Sequence, residues 1–394
     1  MANFNFDQIP SRRGTNSEKW THFPDDVLPF WVADMDFQAP PAVREALAEA
    51  VAHGIFGYAS PSMKLKETVT SRMEKLYGWK FDPQAVIATP GIVSAFNAAA
   101  KSLCEPGDGY VIQPPVYMPF NYLQETHGFI RQEALLFQMM EEKRLRYNID
   151  WESFSRAFHS NNCKTRMFLL CNPHNPTGQV YSKEELLKMA GICLEKDAVI
   201  VSDEIHSELL LGGVLHNPIA ALSPEIAKRS ITLIAPSKTF NVPGLYCGFA
   251  IIPDEEIRSR YKQAMERMTM HINSLGLVAA EAAFSGACDL WLDELKLYLT
   301  ENRDYVLKYL DKQIPAIRST VPEATYLAWF DCSELGQENP QKFFLKEAKV
   351  ALNNGASFGT GGNGFVRFNF GTSRSMLEEG LTRMKKAIEK DETK

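Results

Sequence analysis

One lysine, Lys238, sits in the middle of Ala235-Pro236-Ser237-Lys238-Thr239-Phe240-Asn241, directly after the apolar run Ile231-Thr232-Leu233-Ile234. That run reads as a buried strand, which puts the lysine at the mouth of a sheet. An ammonium there is costly unless it is paired, neutralised or covalently used. An amine tied up as an imine with an aldehyde cofactor carries no obligatory charge, and this chemistry points to pyridoxal 5′-phosphate (PLP). The bland alternative is a lysine whose stem lies along the sheet while its head reaches water.

Four other segments supply what such a cofactor needs. Thr89-Pro90-Gly91-Ile92-Val93-Ser94 follows a strand pattern and opens a helix, where free N–H groups meet a phosphate. An ordinary βα turn has the same look. Pro114-Pro115-Val116-Tyr117-Met118-Pro119 lies at the C-terminal end of the next strand, the edge where open α/β sheets bind ligands. Tyr117 either faces a planar ring or fills a turn. Asn172-Pro173-His174-Asn175-Pro176-Thr177-Gly178 is more specific: two Asn-Pro pairs and Thr-Gly force an irregular loop that aims amides at the same edge. Asn175 is a candidate donor to a cofactor hydroxyl. Finally, Asp203 in Ser202-Asp203-Glu204-Ile205-His206 offers the fixed carboxylate that a pyridinium nitrogen needs to act as an electron sink. His206 is placed to bond the ring hydroxyl in one tautomer. An ion pair between Asp203 and Lys238 is the alternative.

These segments need strands to carry them. Candidates are Val86–Thr89, Tyr110–Gln113, Met167–Cys171, Ala198–Val201, Ile231–Ala235 and Gly248–Ile252, with helical patterns between them in a βα rhythm. Ser182 to Glu185 and Ser375 to Glu378 read as capping boxes that start helices. A helical pattern over 288–312 is followed by short β-like pieces. A chain of 394 residues favours two domains. The division expected is a large domain over 47–286, with an N-terminal arm (1–46) and a small C-terminal module (287–394) forming the rest. The arm, rich in Pro and aromatics, is expected to pack on the small module or on a neighbouring subunit.

Hydrophobic residues at 45% and charged residues at 23% fit a soluble globular protein. A net charge of −6 with no basic stripe speaks against nucleic acid as the main partner. The N-terminus shows no basic segment followed by an apolar one, and no apolar run is long enough for a membrane span. The cysteines are odd in number and lack a C-x-x-C pair, so free thiols in a reducing cytoplasm are expected. His53, His127 and His271 have no spaced ligand partners, which leaves no metal site. The run 355–364 lacks the Lys-Ser/Thr of a phosphate loop and reads as a flexible loop before a strand.

Taken together, the segments resemble the aspartate-aminotransferase-like (fold-type I) PLP enzymes over nearly the whole chain. Within that superfamily the closer likeness is to C–S β-lyases of the cystathionine β-lyase and cystalysin type. It is carried by Trp31-Val32-Ala33-Asp34-Met35-Asp36-Phe37, Gly57-Tyr58, Asp203-Glu204-Ile205-His206, Pro236 to Asn241, and Phe365-Val366-Arg367-Phe368-Asn369. The resemblance implies an α/β fold with a seven-stranded, mostly parallel sheet between helices and a smaller α/β domain. It implies that Lys238 binds PLP as an imine and acts as base at Cα. Asp203 would pair with the ring nitrogen, Asn175 and His206 would flank the ring hydroxyl, and Tyr117 would stack on the ring. Gly91, Ile92, Val93 and Ser237 would hold the phosphate, with Tyr58 reaching it from the other subunit of a homodimer. Arg367, Asn175 and the backbone at Ala33 would grip the substrate carboxylate. Ala235 and Tyr246 stand where many relatives carry Ser and Arg as phosphate contacts, and His206 where many aminotransferases carry Tyr. The activity implied is α,β-elimination from an S-substituted L-cysteine to thiol, pyruvate and ammonia. The alternatives are an aminotransferase and a PLP-binding protein with a regulatory role.

Overall fold

Runs of four to seven mostly aliphatic residues, too short for buried helices, build the central sheet. The computed structural model describes residues 4–159 and 163–393. The seven strands are β1 (Val86–Thr89), β2 (Gly109–Ile112), β3 (Ile130–Glu133), β4 (Thr165–Cys171), β5 (Val199–Asp203), β6 (Ser230–Ile234) and β7 (Gly248–Ile251), in the order β1-β7-β6-β5-β4-β2-β3. Only β7 runs antiparallel to its neighbours; the other pairs are parallel. Helices cover both faces, Ile92–Leu103 on one and Lys183–Glu195 on the other. This is why β5 and β6, buried along their whole length, read as nearly unbroken apolar runs. The sequence hides β3 because Ile130 is its only aliphatic residue and it lies at the sheet's edge.

A second, six-stranded sheet belongs mainly to the C-terminal third. Its order is Asn353–Asn354, Phe365–Asn369, Leu327–Asp331, Arg318–Thr320, Arg144–Ile149 and Leu136–Glu141. The last two strands form a hairpin from the middle of the chain, joined through parallel pairing of Arg144–Leu145 with Ser319–Thr320. The N-terminal arm packs on this module, with Leu28–Pro29 pairing in parallel with Val350–Ala351. The long helix spans Asp289–Gln313.

The two capping boxes fare differently. Glu185 N donates to Ser182 Oγ at 3.1 Å and Ser182 N to Glu185 Oε2 at 2.8 Å, so the first box forms. The closing helix instead starts at Arg374 with Ser373 as its N-cap, and Ser375 falls within the first turn. The Ser373 hydroxyl is turned to Ser375 Oγ, 3.2 Å away, rather than to the helix N–H groups. The glycine-rich run is packed rather than loose: a Cβ on Gly355 would overlap the Gly362 carbonyl, and Phe358 O accepts from Val116 N at 2.9 Å. That bond braces the turn that carries Tyr117.

Candidate active site

The ends of β4, β5 and β6 meet at one cavity, lined by Ala33, Gly91, Ile92, Val93, Tyr117, Asn175, Asp203, His206, Ser237 and Lys238 among others. Lys238 lies in the short helical turn Pro236–Thr239 after β6, and its Nζ donates to the Ala33 carbonyl at 2.7 Å. Desolvation lowers its pKa to about 8; Arg367 works in the same direction, while Asp34 and Asp203 oppose it. The amine is therefore available as a base near neutral pH.

Asp203 closes β5 and is almost fully buried. Among the described residues its carboxylate accepts one hydrogen bond, from Ile205 N at 3.1 Å. It makes no ion pair with Lys238, so a structural pairing does not explain it. Burial pushes its pKa up to about 7, and a buried carboxylate in that position is relieved by a cation brought into the cavity. His206 is also buried, and its Nδ1 has no hydrogen-bond partner among the described residues. Desolvation, Lys238 and Arg367 lower it to about 3, which keeps the ring neutral.

Arg367, from the strand Phe365–Asn369, is the second buried cation of the site. It donates to Asn175 Oδ1 at 3.0 Å, Trp31 O at 3.1 Å and Asn353 Oδ1, all neutral groups. Its Nε has no hydrogen-bond partner among the described residues. Burial lowers its pKa to about 10. A guanidinium held this way is complementary to a ligand carboxylate. Gly91, with φ of 116°, caps the helix Ile92–Leu103, and Ser94 and Ser237 also line the cavity. Tyr246 also lines it, and Ala235 brings no hydroxyl. Tyr58 is fully exposed and lies outside the cavity of its own chain, its ring 6.2 Å from that of His271. An anion cradle at a helix start, a buried acid without a cation, an aromatic wall and a desolvated lysine in one cavity fit PLP.

The aminotransferase class I and II family profile matches residues 25–384. The chain belongs to that family. It is 41% identical over 392 residues to cystathionine beta-lyase PatB of Bacillus subtilis, covering 98% of this chain and all of that one. Its fold matches the crystal structure of cystalysin from Treponema denticola, which contains pyridoxal 5′-phosphate, with a TM-score of 0.92 at 31% identity, over 98% of this chain and 99% of that one. The PLP-bound C–S lyase of Staphylococcus hominis gives 0.90 at 31% identity, over 98% of each chain.

In this member of the class I and II aminotransferase family, the strap 31–37 is held by residues to which the sequence alone gave no role. Asn241, in left-handed backbone with φ of 55°, clasps Met35 N and O and Phe37 O with its side chain. Asn369 Nδ2 holds Val32 O and Asp34 O, and Tyr326 Oη holds Ala33 O. Behind the strap, Arg12 and Lys19 neutralise Asp34 and Asp36. One signal was available. Two acids alternating within Val32-Ala33-Asp34-Met35-Asp36-Phe37 require nearby cations once that segment is buried.

Proposed function

We propose that this chain eliminates sulfur from Cβ of L-amino acids with PLP as cofactor, acting on cystathionine or another S-substituted cysteine and releasing thiol, pyruvate and ammonia. One observation carries the reading: Lys238 and Asp203 line one cavity, Arg367 is bonded to Asn175 of the same lining, and none of the three charged groups forms an ion pair among the described residues. The likeness to a cystathionine beta-lyase over the full chain supports it.

PLP, when bound, supplies a ring that takes up the charge left at Cα. In this reading Asp203 keeps the ring nitrogen protonated. Asn175 and His206 flank the ring hydroxyl, and Tyr117 lies against the ring face. The N–H groups of Ile92 and Val93, the turn at Gly91 and the Ser237 hydroxyl hold the phosphate. Arg367 grips the substrate carboxylate as a fork, helped by Asn175 and the backbone at Ala33. Lys238 is the attachment point for the cofactor; once released by the substrate amine, it takes the Cα proton. Its ammonium form is the economical proton donor to the leaving sulfur.

Two copies of the chain complete the site in this proposal, each lending Tyr58 to its neighbour's phosphate cradle. The full exposure of Tyr58, in a run with exposed Ile55 and Phe56, supports that arrangement. The proposed division of the chain is 47–286 against 1–46 and 287–394, with the hairpin 136–149 riding on the small module's sheet. A cytoplasmic location is proposed on the free cysteines. Among the described residues no single helix is long and apolar enough to cross a membrane.

The deciding experiment adds PLP and cystathionine to purified protein, without a keto acid, and follows pyruvate. Pyruvate that disappears in Lys238→Ala supports elimination. No pyruvate, but amino-group transfer once a keto acid is supplied, would make the chain an aminotransferase.

A further inference from the structure

The Ala33 carbonyl receives two donors at once, Lys238 Nζ at 2.7 Å and Tyr326 Oη at 2.9 Å. Its neighbours along the strap are tied as firmly. Trp31 O accepts from Arg367 at 3.1 Å, and Val32 O and Asp34 O accept from Asn369 at 2.6 and 2.7 Å. The carbonyl facing the lysine is thus fixed from both sides. Tyr326 is fully buried just before the strand Leu327–Asp331, and its own carbonyl accepts from Phe370 N at 2.8 Å. Its ring stands edge-on to His206 with centroids 6.1 Å apart. A buried phenol needs a partner for its O–H, and here that partner is the one carbonyl that also holds the lysine amine.

We infer that Tyr326 is a positioning residue for Lys238, its hydroxyl fixing the Ala33 carbonyl as the acceptor that holds the lysine amine whenever that amine is not joined to the cofactor. The four-carbon stem of a free lysine samples many rotamers, and a fixed acceptor selects the one aimed into the cavity. The charged and titratable groups facing the amine are Asp34 on the strap, Asp203 at the end of β5, His206 after it, and Arg367. Removing the phenol oxygen leaves all four in place. The inference rests on the proposed use of Lys238 to attach PLP, and not on the fate of the substrate's sulfur.

The test uses Tyr326→Phe, which keeps the ring and deletes the oxygen. Cofactor-free protein is mixed with saturating PLP, and the visible absorption of the lysine-linked cofactor is followed in time. In that step the amine nitrogen bonds to the aldehyde carbon and the aldehyde oxygen leaves as water. The linking rate should fall about tenfold, the scale of one lost hydrogen bond. Pyridoxamine 5′-phosphate, which cannot link to lysine, should bind with affinity unchanged within about twofold, since Tyr326 makes no part of the phosphate cradle. An unchanged linking rate would overturn the assignment, as would a parallel loss of pyridoxamine phosphate affinity, which marks general damage to the cavity. If Tyr326→Phe is insoluble, Tyr326→Met is read by the same two measurements. Wild-type protein that links PLP but yields no pyruvate would sink the elimination reading and leave this one standing.

Discussion

Arg367 and Asn175 hold each other at the cavity, with Nη1 donating to Oδ1 at 3.0 Å. The amide oxygen is therefore committed to the guanidinium, and the amide nitrogen is the atom left for a ligand. One rigid unit thus links the proposed grip on the substrate carboxylate to the proposed contact with the cofactor ring. Because its other hydrogen-bond acceptors among the described residues are the neutral oxygens of Trp31 and Asn353, an incoming carboxylate meets a charge that no acid pairs.

Arg367→Lys tests that unit. A point charge cannot reproduce the fork, and hydrogen bonds to charged groups contribute about 1.5–3 kcal/mol each. The expected result is a fall in kcat/KM of about 10–100-fold, carried mainly by KM. Steady-state kinetics on cystathionine decide it; an unchanged KM would remove Arg367 from substrate binding.

Lys238→Ala should leave less than about 1% of the wild-type rate, because a positioned acid–base group contributes about 10²–10⁴-fold. The variant should also lose the visible absorption of lysine-linked PLP. Pyruvate release at saturating PLP and substrate is the measurement, and retained turnover would end the assignment of the base.

Asp203 gives a prediction with a sign in pH. Its pKa in the folded, cofactor-free chain is raised from 3.8 to about 7 by burial. Between those values the folded state binds the proton more tightly than the unfolded chain, so this group's contribution to stability falls as pH rises through the window. Asp203→Asn removes the effect. Cofactor-free Asp203→Asn should therefore gain stability over wild type on going from pH 5 to pH 7.5, by a total on the order of 2 kcal/mol. Urea unfolding at the two pH values measures it, and a pH-independent difference would contradict the geometry. With PLP bound the order should reverse, as the ring nitrogen then supplies the missing cation.

Much of this site was legible because its residues follow buried strands. Asp203 and Lys238 each stand at or just after an apolar run, and Asn175 lies in a loop whose prolines and glycine leave little choice of backbone. Strand positions followed from the same runs, to within one or two residues. What stayed hidden was held by partners distant in sequence. Tyr326 meets Ala33 across 293 positions and Asn369 meets Val32 across 337, and no local pattern marks either pair. The edge strand β3 was missed for the opposite reason, since its polar residues carry no burial signal. Ser375 shows the limit of motif reading: the spacing is that of a capping box, but the helix begins one residue before it.

Lys19 was also invisible in sequence, and its removal should cost more than that of any surface lysine. Its Nζ lies 2.9 Å from Asp36 and 3.6 Å from Asp34, and both Lys19 and Asp36 are buried. Burial alone would push the Asp36 carboxyl up, yet Lys19 and Trp20 hold it below the usual carboxylate range. A group with a depressed pKa stabilises the fold above its unfolded value, and that contribution is lost as pH falls through the folded one. Lys19→Met strips away the nearest cation and leaves Arg12 and Trp20 facing a buried charge. Breaking a buried pair in this way costs about 3–5 kcal/mol. The deficit should be largest at pH 7 and shrink as the solution is acidified and the stranded carboxyl takes up a proton. Urea unfolding of wild type and Lys19→Met at pH 7 and below checks both the size and the trend. Lys64→Met is the control: Lys64 pairs with Glu281 at 2.6 Å, but its side chain is 79% exposed, so its loss should leave the unfolding midpoint where it was. If the two variants behave alike, the cluster behind the strap does not anchor it.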